Sequence, residues 1–260
     1  VSLAAVILLI ILRATGKALP SGWGIWAALA GMGLLNNVIP FSLIVWGQVH
    51  VTSSIASIFN ATTPLFTVFV AHLLTTDERM TANKLAGVLL GIAGVVVMIG
   101  PSALAGFDMA NAGQVAVLGG ALSYAFASIW GRRLKGLTPM VAAAGMLLMA
   151  SVIMVPAALL IETPLKVVPS LSVIASVIGL ASVSTALAYL IYFRLLSSVG
   201  STNLMLVTLL IPISAMALGI AFLDEAPEAS AFAGMLLIFA GLISVDGRLY
   251  RKLKGRYLPE

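Results

Sequence analysis

Residues 77–94 read DERMTANKLAGVLLGIAG, and residues 224–241 read DEAPEASAFAGMLLIFAG. Laid on one another, the two stretches agree at nine of eighteen positions: Asp77/Asp224, Glu78/Glu225, Ala82/Ala229, Ala86/Ala233, Gly87/Gly234, Leu89/Leu236, Leu90/Leu237, Ala93/Ala240 and Gly94/Gly241. An internal repeat of this kind decides the architecture ahead of any single element. Upstream, a one-residue adjustment pairs Pro64 with Pro212, each near the middle of an apolar run, at an offset of 148 (212 − 64).

The surroundings of the repeat say which solvent it meets. Of 260 residues, 61% are hydrophobic and 9% charged, against about 25% charged in a soluble domain. Fourteen Lys and Arg with nine Asp and Glu cannot coat a globule of that size, so most of the surface faces lipid. Apolar runs fall at 1–12, 23–45, 53–75, 84–101, 113–131, 139–161, 171–193, 202–223 and 231–246, most of them long enough to cross about 30 Å of hydrocarbon. The absence of cysteine removes disulfides, thiolate metal sites and cysteine nucleophiles.

Short connections imply an up-and-down bundle, so basic residues can be counted by side. Thirteen of the fourteen fall on one side and only Lys166 on the other, which places segments 13–22, 76–83, 132–138, 194–201 and the C-terminus in the cytoplasm. The opposite loops carry Asp108, Glu162, Asp224, Glu225 and Glu228. The basic tail around Arg251, Lys252 and Lys254 is read as meeting anionic headgroups and not nucleic acid. Because the acidic pair lies inside in the first copy and outside in the second, the halves are inverted, which requires an odd number of helices in each; five fits. The expected fold is an all-α polytopic membrane protein, a ten-span bundle of two inverted five-helix repeats. Residues 1–102 form the first repeat, 111–247 the second and 248–260 a basic cytoplasmic tail. The offset carries position 113 back to −35 (113 − 148), so a first helix and part of the second are expected ahead of Val1.

On these residues, with TTPLFTVFVAHLLTTDERMTANKLAGVLLGIAGVVVMIG at 62–100 and LIPISAMALGIAFLDEAPEASAFAGMLLIFAGLI at 210–243, the sequence resembles the EamA domains of the drug/metabolite transporter superfamily over nearly its whole length. The resemblance implies a membrane carrier of small solutes and an export direction. Asp224-Glu225 and Asp77-Glu78 stand where the family pattern shows Gly-Glu, and a local change in the turn is expected.

Candidate site residues are polar groups at membrane depth. Pro64 and Pro212 each remove an amide and displace the carbonyl four residues back, that of Asn60 or Thr208. Asn60 and Thr63 precede the first proline, and Asn203 and Thr208 the second. Such a pair of interrupted helices points to a transporter's binding site; the alternative is a kink re-satisfied by hydroxyls. Ser182, Thr185, Tyr189 and Tyr192, spaced 3, 4 and 3, share one face of an α-helix. Asn36 and Asn37 with Pro40, and more weakly Tyr124 and Ser128, are read as cavity lining or interhelical hydrogen bonding. Gly87, Gly91 and Gly94, echoed by Gly234 and Gly241, make a flat face suited to the contact between the halves or to a homodimer. The two acidic pairs are read as favouring the positive ends of the helices that follow them, with gating as the other reading.

Little in the sequence supports catalysis, a metal or a cofactor. His50 and His72 lie on opposite sides, and no GxSxG or HExxH occurs. Away from interface positions the apolar runs hold no Asp, Glu, Lys or Arg, which argues for a neutral, zwitterionic or amphiphilic solute. The expectation is a secondary transporter working by alternating access on a small metabolite such as an amino acid. The alternative is multidrug or amphiphilic-cation efflux, with an intramembrane enzyme or scaffold more distant.

Overall fold

The computed structural model describes residues 1–76, 80–99, 109–161, 169–192, 194 and 207–246, with no strand among them. The helices are α1 (Ser2–Ala14), α2 (Trp23–Gly33), α3 (Ile39–Gln48), α4 (Ser53–Asn60), α5 (Thr63–Leu74), α6 (Ala82–Ile99), α7 (Met109–Trp130), α8 (Pro139–Ile161), α9 (Leu171–Gly179), α10 (Val207–Leu223) and α11 (Ala229–Asp246). Two short π-helical turns interrupt them, Leu34–Val38 between α2 and α3 and Leu180–Leu187 after α9. Five helical stretches are long and apolar enough to cross a membrane: Trp23–Gln48, Ser53–Leu74, Asn111–Leu134, Pro139–Ile161 and Leu171–Tyr192. Shorter apolar helices occupy the other four runs read from the sequence. Many large apolar side chains point outward, Leu160, Leu171 and Phe222 among them, as expected where lipid, and not water, is the outer solvent.

The chain divides into two compact units, Val1–Ile39 with Trp130–Leu204, and Pro40–Ile129 with Met205–Glu260. Each draws on both halves of the sequence. In the first, α8 packs against α1 and α2. Gly33 makes the crossing with α8 possible, since a Cβ there would stand 2.9 Å from the Met146 carbonyl oxygen. The indole of Trp130 lies on Gly31, donates from Nε1 to the Ala28 carbonyl (2.9 Å) and carries the Arg133 guanidinium 3.8 Å above its ring. This cation–π contact is worth about 0.5–1 kcal/mol at an accessible site.

The second unit is organised by α6 and α11. A Cβ on Gly94 would meet the Gly234 oxygen at 2.7 Å, and one on Gly234 the Gly94 oxygen at 2.6 Å; Gly87 and Gly241 face each other in the same way. Small residues let backbones approach where lipid supplies no hydrophobic drive between helices. The pairing is reciprocal, because the offset of 147 (234 − 87) turns Gly87 into Gly234 and Gly94 into Gly241, so each glycine meets the other's counterpart. The flat glycine face is thus buried between α6 and α11 of one chain. Around it Ile58, Phe59, Leu65, Val117 and Ile238 form a buried core.

Candidate functional site

The first unit contains a neutral hydrogen-bonded cluster built from residues distant in sequence. The Asn36 Nδ2 donates to the Tyr189 hydroxyl (3.0 Å), and the Tyr189 hydroxyl donates to Asn37 Oδ1 (2.9 Å). Asn36 also lies 3.6 Å from the Met146 sulfur. Asn37 is fully buried, and its Nδ2 has no hydrogen-bond partner. Tyr192 meets Tyr189 edge-on, with ring centroids 6.4 Å apart.

Both asparagines sit on the first π-turn, and local chemistry explains why the turn is wide. Pro40 has no amide to offer the Asn36 carbonyl, and its ring pushes that carbonyl away. The Ile39 amide bonds Leu34 five residues back instead. The extra residue in the turn shifts the helix phase. The second π-turn has the same effect on the expected stripe of Ser182, Thr185, Tyr189 and Tyr192, whose spacing assumed an uninterrupted α-helix. Ser182 donates to the Ile178 carbonyl (2.7 Å) and Thr185 to that of Leu180 (3.0 Å). Thr185 is buried while Tyr192 is 37% exposed. Of the four, Tyr189 reaches the asparagines and the two hydroxyls turn back on their own helix.

In the second unit the two prolines do not act alike. Pro64 stands in the first turn of α5, after a break between α4 and α5, whereas Pro212 lies inside a continuous α10. Thr63 donates to the Asn60 carbonyl (2.7 Å) and Thr62 to that of Phe59 (2.6 Å), so the backbone oxygen expected to be freed at Asn60 is satisfied by a hydroxyl. The Asn60 side-chain oxygen, Oδ1, is buried without a partner, as is Gln114 Oε1. Gln114 was missed from sequence, because it stands at the start of its apolar run and the asparagines were singled out by their depth within theirs. Ser128 donates to Ala125 (2.7 Å), and Tyr124 is half-buried. Asn203 and the Thr208 side chain lie outside the described residues, as does Asp77-Glu78.

Glu225 has a different role from the one read. Its carboxylate accepts from the Ser53 amide (2.8 Å), the Ser54 amide (3.0 Å) and the Ser54 hydroxyl. It therefore caps α4 and not the helix that follows it. Four orphan amides and a positive dipole end make that N-terminus receptive to a carboxylate. Gly219 provides the room, because a side chain there would collide with the Glu225 carboxylate. Partial burial raises the Glu225 pKa, but the bonds from Ser54 and Ser53 outweigh it and hold the pKa below its usual 4.5. Asp224 beside it has φ +51°, a left-handed conformation that glycine adopts freely and aspartate tolerates. That is the position where the family pattern shows glycine.

The EamA-like transporter family matches residues 1–100 and 111–245 of this sequence. The chain belongs to the EamA-like transporter family. As an EamA-like protein it is a multi-pass membrane transporter, and its relatives agree. It is 23% identical over 212 residues to the transporter YoaV of Bacillus subtilis (strain 168), spanning 81% of this chain and 72% of that protein. It is 28% identical over 241 residues to a "Probable amino-acid metabolite efflux pump" of Escherichia coli (strain K12), spanning 89% of this chain and 77% of the other. A solved crystal structure superposes with TM-score 0.67 at 21% identity, covering 99% of this chain and 86% of the other; at that identity the likeness is one of fold.

Proposed function

We propose that this EamA-like protein is a secondary transporter that exports a small neutral or zwitterionic metabolite, of the amino-acid class, across a bacterial inner membrane by alternating access. The observation that carries the reading is the Asn36–Tyr189–Asn37 cluster, made only of amide and hydroxyl groups, in spans without a charged residue away from their ends. Such groups can exchange hydrogen bonds with a dipolar solute, whereas a strongly charged solute would need a buried counterion. The name of the Escherichia coli relative supports the amino-acid class. The reciprocal glycine pairing of α6 and α11 supports the inverted five-plus-five repeats, divided at 1–102 and 111–247. The basic count by side supports a cytoplasmic C-terminus. Nothing in this chemistry breaks a covalent bond, so the protein is read as a carrier and not an enzyme.

The test is flux. Full-length protein in liposomes moves a small metabolite down its gradient, and protein-free liposomes do not. Absence of flux across amino acids, sugars and amphiphilic cations would refute transport. Growth rescue under toxic amino-acid analogues, but not under lipophilic cations, separates the proposed class from drug efflux.

A further inference from the structure

The two π-turns fall at matching places in the two halves. The offset of 148 set by Pro64 and Pro212 carries Leu34–Val38 onto positions 182–186, inside Leu180–Leu187. Their sequences share nothing, LLNNV against SVSTA, and their causes differ. Pro40 stands two residues after the first and leaves the Asn36 carbonyl without an amide four residues on. The second contains no proline, and its Thr185 hydroxyl bonds the carbonyl five residues back, the kind of back-bonding that bends helices. A backbone form that is rare in helices and is reached twice by unrelated chemistry marks what it displays as needed.

What the first turn displays is Asn37. The Tyr189 hydroxyl accepts from Asn36 and gives its own hydrogen to Asn37 Oδ1, so the Asn37 oxygen faces the tyrosine and its NH₂ group faces away. That NH₂ group is buried and unpaired, on a side chain with no exposure at all. A buried donor left without an acceptor is destabilising, and two residues hold it in this orientation.

We propose that the Asn37 side-chain amide determines the specificity of transport. Its N–H donates to an acceptor oxygen of the solute, a carboxylate or carbonyl, so the carrier takes solutes bearing that oxygen and rejects amines of the same skeleton that lack it. The inference rests on the transport reading above and goes further by naming the group read and the residue that reads it.

The experiment uses full-length protein in liposomes loaded with the common amino acids, with release of each followed by mass spectrometry. For each one released, the competitor is the amine of the same skeleton without the carboxylate, such as isopentylamine against leucine. The amine is expected to compete at least about ten-fold more weakly than the parent amino acid, the loss that follows from stranding a buried donor. Asn37→Asp, which keeps the shape and replaces the donor by an acceptor, is expected to cut release at least about ten-fold and to admit the amine. An amine that competes as well as its amino acid, or Asn37→Leu releasing at the wild-type rate, overturns this inference and leaves transport standing. A wild-type protein that releases none of the panel overturns the amino-acid reading and this inference together. If the Asn37 variants fail to fold, the competition measured on wild type alone decides.

Discussion

Replacing Gly94 by alanine places a methyl group 2.7 Å from the Gly234 oxygen, 2.8 Å from Ile238 Cγ1 and 3.0 Å from the Ile238 nitrogen. Two of these three atoms are backbone, so no rotamer change relieves them. Ordinary contact begins near 3.4 Å, and α6 and α11 must part by about 0.7 Å (3.4 − 2.7). A gap of that size forfeits a quarter to a half of each dispersion contact it opens, and overpacking a tight interface costs about 1–3 kcal/mol. Alanine recovers up to about 1 kcal/mol through helix propensity, leaving a net loss of about 2 kcal/mol once the widened face is included. At about 2–4 °C per kcal/mol for a chain of this size, the melting temperature in detergent should fall by about 4–8 °C. The assay is the monodisperse fraction surviving a thermal ramp, read by size exclusion. Gly24→Ala is the control, because a Cβ there meets nothing within 4 Å. If Gly94→Ala melts together with Gly24→Ala, the glycines are not what holds α6 to α11.

Other consequences follow from single groups. Glu225→Gln removes the charge from the cap on α4 and should destabilise by about 1–2 kcal/mol, measured by the same ramp. Because the folded pKa of Glu225 lies below 4.5, its contribution is full above that value and is lost as pH falls through the lowered pKa; the wild-type and Glu225→Gln melting curves should converge at acid pH. Asp224→Gly relieves a left-handed residue and should be neutral to stabilising by up to about 1 kcal/mol, whereas Asp224→Val should destabilise by at least that much. Pro40→Ala returns an amide to the Asn36 carbonyl, which should raise thermal stability and lower flux as the first π-turn tightens.

The fold was legible because membrane depth writes itself as long apolar runs. The glycine face was legible because close helix approach tolerates only small residues, and it is buried between α6 and α11. The π-turns were not legible. The 3-4-3 spacing of Ser182, Thr185, Tyr189 and Tyr192 was read on a 3.6-residue period, and a five-residue backbone hydrogen bond such as that from the Ala188 amide to the Val183 carbonyl breaks that period without an obvious mark in the sequence. Asn36, Asn37 and Tyr189 were each singled out, but on separate grounds. Their meeting joins positions 153 residues apart, and no local pattern encodes it. The partner of Glu225 was hidden for the same reason: its acidity suggested a helix N-terminus, and only the fold shows that the helix is α4. At Pro64, the hydroxyl of Thr63, one residue before the proline, took up the Asn60 oxygen that proline geometry alone would have left open.

In the proposed transport mechanism solute crosses the membrane by way of the Asn36–Tyr189–Asn37 cluster, and Tyr189→Phe is the substitution that probes this route. The substitution keeps the ring and its edge contact with Tyr192 and removes the one hydroxyl that links both asparagines. In liposomes at matched protein content, the wild type should release a neutral or zwitterionic metabolite, and Tyr189→Phe should release it about ten-fold more slowly, the effect of losing buried hydrogen bonds of this kind, with its abundance in the membrane unchanged. Release by Tyr189→Phe at the wild-type rate would contradict the account.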